Sequence, residues 1–113
     1  MGIEVRITSN AKAVKDAKDG GVERALEAIG QAAETYAKLN LEKEPRRVDT
    51  GRLRNSISHT HDTDKAYIGT NVEYAPYVHF GTVKMAANEF LKNAVMENAQ
   101  EYKQILQMYL SNA

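Results

Sequence analysis

Cysteine is absent from this 113-residue chain, which excludes disulfides and thiolate chemistry and fits synthesis in a reducing cytosol. Neither charge sign is in excess. Lys plus Arg and Asp plus Glu stand at 15 each, so no global field draws the chain to nucleic acid or to a membrane surface. No apolar stretch approaches the roughly 18 residues that a bilayer-spanning helix needs. The start, Met1-Gly2-Ile3-Glu4-Val5, lacks a basic region followed by an apolar one and does not read as a signal peptide. Repeats and low-complexity segments are missing, as are a nucleophile elbow and a glycine-rich phosphate loop. What is present, 42% apolar and 27% charged residues, is the composition of an ordinary globular protein. The length fits one domain over residues 1–113. A net charge near zero also suits a molecule that associates with itself.

The apolar pattern gives the elements. Ile3, Val5 and Ile7 alternate with polar residues, the period of a half-buried strand. Asn10 is placed to cap a short helix through Lys18, which Asp19-Gly20-Gly21 breaks or kinks. Val22, Leu26, Ile29, Ala33 and Tyr36 then fall at steps of three and four, flanked by Ala25, Ala32 and Ala37. That is one face of a helix running to about Leu41, with small residues that permit close packing. Pro45 interrupts the polar connection Glu42–Gly51. Ser56–His61 reads as a strand with Ile57, His59 and His61 on one face. Asp62-Thr63-Asp64 turns it into a second strand, Lys65–Thr70, with Ala66 and Ile68 inward. Tyr74, Tyr77, Val78 and Gly81 mark a short helix with Pro76 in its first turn and Gly81 at its end. Its cluster of Tyr74, Tyr77, Val78 and Phe80 is expected to pack under or beside the Ser56–Thr70 hairpin. Asn88 is placed to cap one long C-terminal helix, striped by Leu91, Ala94, Val95, Asn98, Tyr102, Ile105, Leu106 and Tyr109. The fold class is therefore α+β. A small antiparallel sheet carries a long helix from the N-terminal half and a C-terminal helix packed against it.

Three chemistries compete for the polar residues. Asp49-Thr50-Gly51 matches the core of the retroviral aspartic protease motif, in which two chains share a proton between two aspartates. That motif follows an apolar strand in a nearly all-β protein. Here it lies between Arg47 and Arg52, in a chain that devotes about half its length to helices. The residues read instead as a turn: Asp49 or Thr50 caps one helical turn, Gly51 gives freedom at the bend, and Leu53 and Ile57 drop into the core. His59 and His61 share a strand face and could ligate zinc if a third donor such as His79 arrived, with Asp62 and Asp64 close by. Nothing in the sequence fixes that third ligand, and Asp-Thr-Asp is ordinary hairpin-turn chemistry. No metal or cofactor site is assigned. Arg46, Arg47, Arg52 and Arg54 place four guanidinium groups within nine residues. Without interleaved aromatics in a neutral chain, they argue against specific nucleic-acid binding. Arg favours interfaces, because its planar fork binds carboxylates bidentately. These four residues are therefore the candidate assembly surface.

One ordered series of motifs carries a resemblance. Pro45 is followed by Asp49-Thr50-Gly51-Arg52-Leu53-Arg54-Asn55-Ser56-Ile57. Then come Ile68-Gly69-Thr70-Asn71, the run Tyr74-Ala75-Pro76-Tyr77-Val78-His79-Phe80-Gly81-Thr82, and Phe90-Leu91-Lys92-Asn93-Ala94. This series resembles the tail-component family of long-tailed bacteriophages, whose members look like head–tail joining or tail-completion proteins. The resemblance implies small α+β structural subunits without catalysis or cofactor. They would form a ring, hexameric in the family, between the head connector and the tail tube. It also implies assembly in the host cytoplasm, residence at the virion head–tail junction, and neck and tail-tube proteins as partners. The segments left to order on assembly are the polar connections Glu42–Gly51 and Gly81–Asn88. Two positions depart from the family pattern. His79 stands where a glutamate is usual, which removes or reverses any ion pair there. Asn88-Glu89 replaces a proline-containing approach to Phe90, which implies a looser entry to the last helix. The competing class is a nucleic-acid-binding or regulatory module of a mobile element that uses the Arg46–Arg54 loop.

Overall fold

Helix α1 (Gly21–Asn40) supplies the largest share of the core of any element among the described residues, and its alanines let neighbours come close. Val22, Ala25, Leu26, Ile29, Ala33 and Ala37 are buried along one face, and Leu41 follows just beyond the end. Glu23 in the first turn and Lys38 in the last lie where the helix dipole favours them. The computed structural model describes residues 3–8, 21–42, 50–62, 65–83 and 86–111. The expected helix from Asn10 to Lys18, most of the Glu42–Gly51 connection with Pro45, and Thr63-Asp64 of the hairpin turn lie outside the described residues.

The sheet beneath α1 has three antiparallel strands: β1 (Ile3–Thr8), β2 (Ser58–His61) and β3 (Lys65–Thr70), in the order β1-β3-β2. The central strand pairs Val5 with Ile68 on one side and His59 with Ile68 on the other. Ala66, Ile68 and Thr70 face inward, as the alternation in the sequence requires. Where the sequence suggests a strand from Ser56, the chain instead closes a helix, α2 (Thr50–Ser56). The Ser56 hydroxyl donates back to the Leu53 carbonyl at 2.6 Å and touches the Thr70 hydroxyl at 2.5 Å, so the strand begins two residues later. Leu53 and Ile57 do reach the core, as expected. Gly51 sits within α2, and the positive-φ glycine among the described residues is Gly81.

Helix α3 (Ala75–Phe80) begins with proline in its first turn and ends at Gly81, whose φ of 79° suits glycine. The C-terminal region differs from the single helix of the sequence pattern. It forms α4 (Phe90–Met96) and α5 (Ala99–Ser111), separated by a turn at Glu97-Asn98. The Asn98 amide donates to the Ala94 carbonyl at 3.0 Å and the Tyr102 hydroxyl donates to the same oxygen. Side-chain donors thus serve the carbonyl that a continuous helix would pair with the Asn98 N–H. Leu91, Ala94, Tyr102 and Leu106 remain buried across the break. Asn88 is not a helix cap; the N-cap position is Glu89, which makes no side-chain cap. Asn88 instead donates its backbone N–H to Val78 and its amide to the Asn40 carbonyl, while Asn40 donates to the Phe90 carbonyl. The entry to α4 is therefore tied to the end of α1, not loose.

Candidate assembly surface

The motif from Tyr74 to Thr82 divides by side. Ala75, Val78 and His79 turn inward from α3, whereas Tyr77 is 59% and Phe80 65% exposed. Core packing of Phe80 against the hairpin is the sequence expectation, and the structure corrects it. With Ala75, Val78 and His79 committed to the core, positions 77 and 80, three apart on a 3.6-residue helix, share the outer face. Val83 follows, fully exposed. The result is a run of three large apolar side chains offered to solvent within seven residues. Phe90, by contrast, is wholly buried.

His79 holds this ridge in place from behind. Its ring meets Phe80 edge-on at 4.6 Å and Phe90 at 5.3 Å between centroids. Nε2 accepts the backbone N–H of Lys92 at 3.2 Å, which puts the ring proton on Nδ1, a buried atom without a hydrogen-bond partner among the described residues. Burial pushes the imidazole below its ordinary value. It is a neutral core histidine that props α3 on α4. It is also distant in role from the zinc ligand considered beside His59 and His61. Among the described residues, no three His, Cys, Asp or Glu side chains group as a metal ion would need.

Two of the four arginines can be placed. Arg52 reaches Glu73 at 3.4 Å and lies over the Tyr74 ring, 5.3 Å from its centroid. Arg54 pairs with Glu42. Each thus has a carboxylate of its own chain, although the side chains of both remain about half exposed. The Glu73 carboxyl is held below its usual value, first by a backbone hydrogen bond and then by Arg52. Arg46, Arg47 and Asp49 lie outside the described residues, as does the side chain of Thr50.

A protein-family model described as "Bacteriophage HK97-gp10, putative tail-component" matches residues 6–81. The chain belongs to this family. No curated protein and no solved structure matches it. The matched stretch runs from Arg6, within β1, through α3 to Gly81, so both the Asp49–Ile57 motif and the exposed Tyr77–Phe80 pair fall within it. This protein is accordingly a phage tail-component structural protein.

The tail component also carries a polar cluster that sequence reasoning missed. His59 of β2 sits between two glutamates of α1. Its Nδ1 is 2.8 Å from Glu34 and its Nε2 2.8 Å from Glu27. His61 lies 3.9 Å from the other oxygen of Glu27, and Lys38 holds Glu34 at 3.0 Å. The histidines were visible as a strand pair. Their partners were not, although Glu27, Gly30 and Glu34 sit at steps of three and four on one helix.

Proposed function

We propose that this tail component is a head–tail joining, or tail-completion, subunit that assembles as a ring of six between head connector and tail tube. In this reading it is made in the host cytoplasm and ends at the head–tail junction of the virion. It acts by contact alone, with neck and tail-tube proteins as partners. The observation that carries the reading is the exposed ridge of Tyr77, Phe80 and Val83. These side chains lie in or next to the family motif and serve no core. Apolar side chains exposed next to one another are a common mark of an interaction surface. The arginines Arg46, Arg47, Arg52 and Arg54 are the proposed polar assembly surface, where guanidinium groups meet carboxylates of a neighbour.

The test is a double substitution, Tyr77→Ser with Phe80→Ser, in a phage that depends on this subunit. Both residues are mostly exposed, so the chain should stay folded by circular dichroism. Unjoined heads and tails are expected in electron micrographs of the lysate. Normal joined particles would show that the ridge has no part in assembly.

A further inference from the structure

His59 is held in a slot cut into helix α1. Gly30 makes the slot: a Cβ there would come within 3.0 Å of the His59 ring and 3.2 Å of its Cβ. The ring thus lies against the helix backbone, with Glu27 three residues before Gly30 and Glu34 four after. Each carboxylate meets one ring nitrogen at 2.8 Å. A neutral imidazole carries one N–H and one lone pair. In that form one of the two carboxylates would face a lone pair at hydrogen-bond distance, which is repulsive. Only the doubly protonated ring satisfies both contacts.

We propose that His59 is a proton-operated clamp. Doubly protonated, it ties the edge strand β2 to helix α1 through Glu27 and Glu34, and on losing a proton it lets go of Glu27. The choice of Glu27 follows from surroundings. Glu34 is the more enclosed of the two, with 22% of its side chain exposed against 53%, and it also has Lys38. Glu27 borders an open groove of about 560 Å³ lined by Glu23, Arg24, Gln31, His61 and Tyr109, into which it can turn. Strand β2 lies at one end of the sheet and has β3 as its strand neighbour. The clamp is therefore a polar tie that holds this edge to the helix layer.

The other charged groups around His59 agree with this assignment. From α1 it faces Glu27, Glu34 and, behind Glu34, Lys38; from its own strand, His61 stands on the far side of Glu27. Arg54 of α2 shares the depression beside Glu34 but is occupied by Glu42. From β3 its cross-strand neighbour is Ile68, which carries no charge. Burial lowers the affinity of His59 for its second proton, but the hydrogen bonds the ring donates to Glu27 and Glu34 outweigh it and the net shift is upward. Glu34 shifts downward for the reciprocal reason: burial raises it, and the bonds from His59 and Lys38 overcome that.

Ring-nitrogen NMR of the full chain labelled with nitrogen-15, followed through a pH titration, tests the clamp. Both nitrogens of His59 should carry protons at pH values where an ordinary histidine, near about 6.5, has already lost one. Glu27→Gln should bring the midpoint of His59 down. A wild-type His59 with one ring proton from mildly acid pH upward would overturn the proposal, as would an unmoved midpoint in Glu27→Gln. Thermal unfolding gives an independent reading. The advantage of wild type over His59→Gln should shrink as pH rises through the His59 titration, and a constant difference would also overturn it. Should His59→Gln fail to fold, the wild-type titration and the substitution at half-exposed Glu27 still decide.

Discussion

Two phenylalanines in one chain show how little residue type says about burial. Phe90, at the start of α4, is fully buried with the His79 ring edge-on to it, whereas Phe80 leaves 65% of its surface in water. Phe90→Ala should cost about 3–5 kcal/mol, the usual loss on emptying a buried aromatic site. Phe80→Ala should change stability by no more than about 0.5 kcal/mol, as at other surface positions. Urea unfolding of the two variants measures both. A large loss for Phe80→Ala would mean that the ridge belongs to the core and is no contact surface.

At the scale of elements, glycine in a helix has opposite meanings in α1 and α2. Glycine normally weakens a helix interior by about 1 kcal/mol relative to alanine. Gly51 has ordinary helical surroundings and nothing within 4 Å of where a Cβ would stand, so Gly51→Ala should stabilise by up to that amount. Gly30 holds the His59 ring, and the 3.2 Å approach of the His59 Cβ leaves little room for adjustment. Gly30→Ala should therefore bring no gain and should lower the melting temperature. If both alanines stabilise equally, the slot is not a close contact. The same scale explains why one expected helix became two. The apolar stripe continues from Leu91 to Leu106, but hydrogen bonds from Asn98 and Tyr102 to Ala94 compete with the helical ladder at the turn.

Over the whole molecule, the two placed histidines with resolved shifts oppose each other in pH. His59 is raised in the folded state, so its contribution is complete below the ordinary histidine value of about 6.5 and is lost as pH rises through its folded value. His79 is lowered, so the folded state is penalised as pH falls from about 6.5 toward its folded value. Glu34, also lowered, contributes above the ordinary carboxylate range and loses that contribution in acid. Compared with His79→Gln, wild type should therefore lose stability as pH falls below about 6.5. Parallel unfolding free energies for the two proteins across that range would place the His79 ring in solvent. The arginine segment is tested at this scale as well. Arg46→Glu with Arg47→Glu should leave the monomer folded and block the joining of heads to tails. Full joining in that variant would reduce the arginines to a solvated face.

Periodicity determined much of this protein without any structure. The α1 stripe from Val22 to Ala37, the inward Ala66 and Ile68, and the Pro76-to-Gly81 limits of α3 all follow from local geometry. A side chain's face is set by the helix or strand period. The α+β class and the family were legible for the same reason, in motifs whose order along the chain is itself the signal. Tertiary structure alone decided the rest. It turned Phe80 and Tyr77 outward, because the neighbouring Ala75, Val78 and His79 already filled the core. It gave Arg52 and Arg54 their carboxylates from residues 21 and 12 positions away in sequence. It set His59 between glutamates 25 and 32 residues distant. Pairings of that kind depend on which surfaces are brought together when α1 packs across β2 and β3, and no local pattern records them.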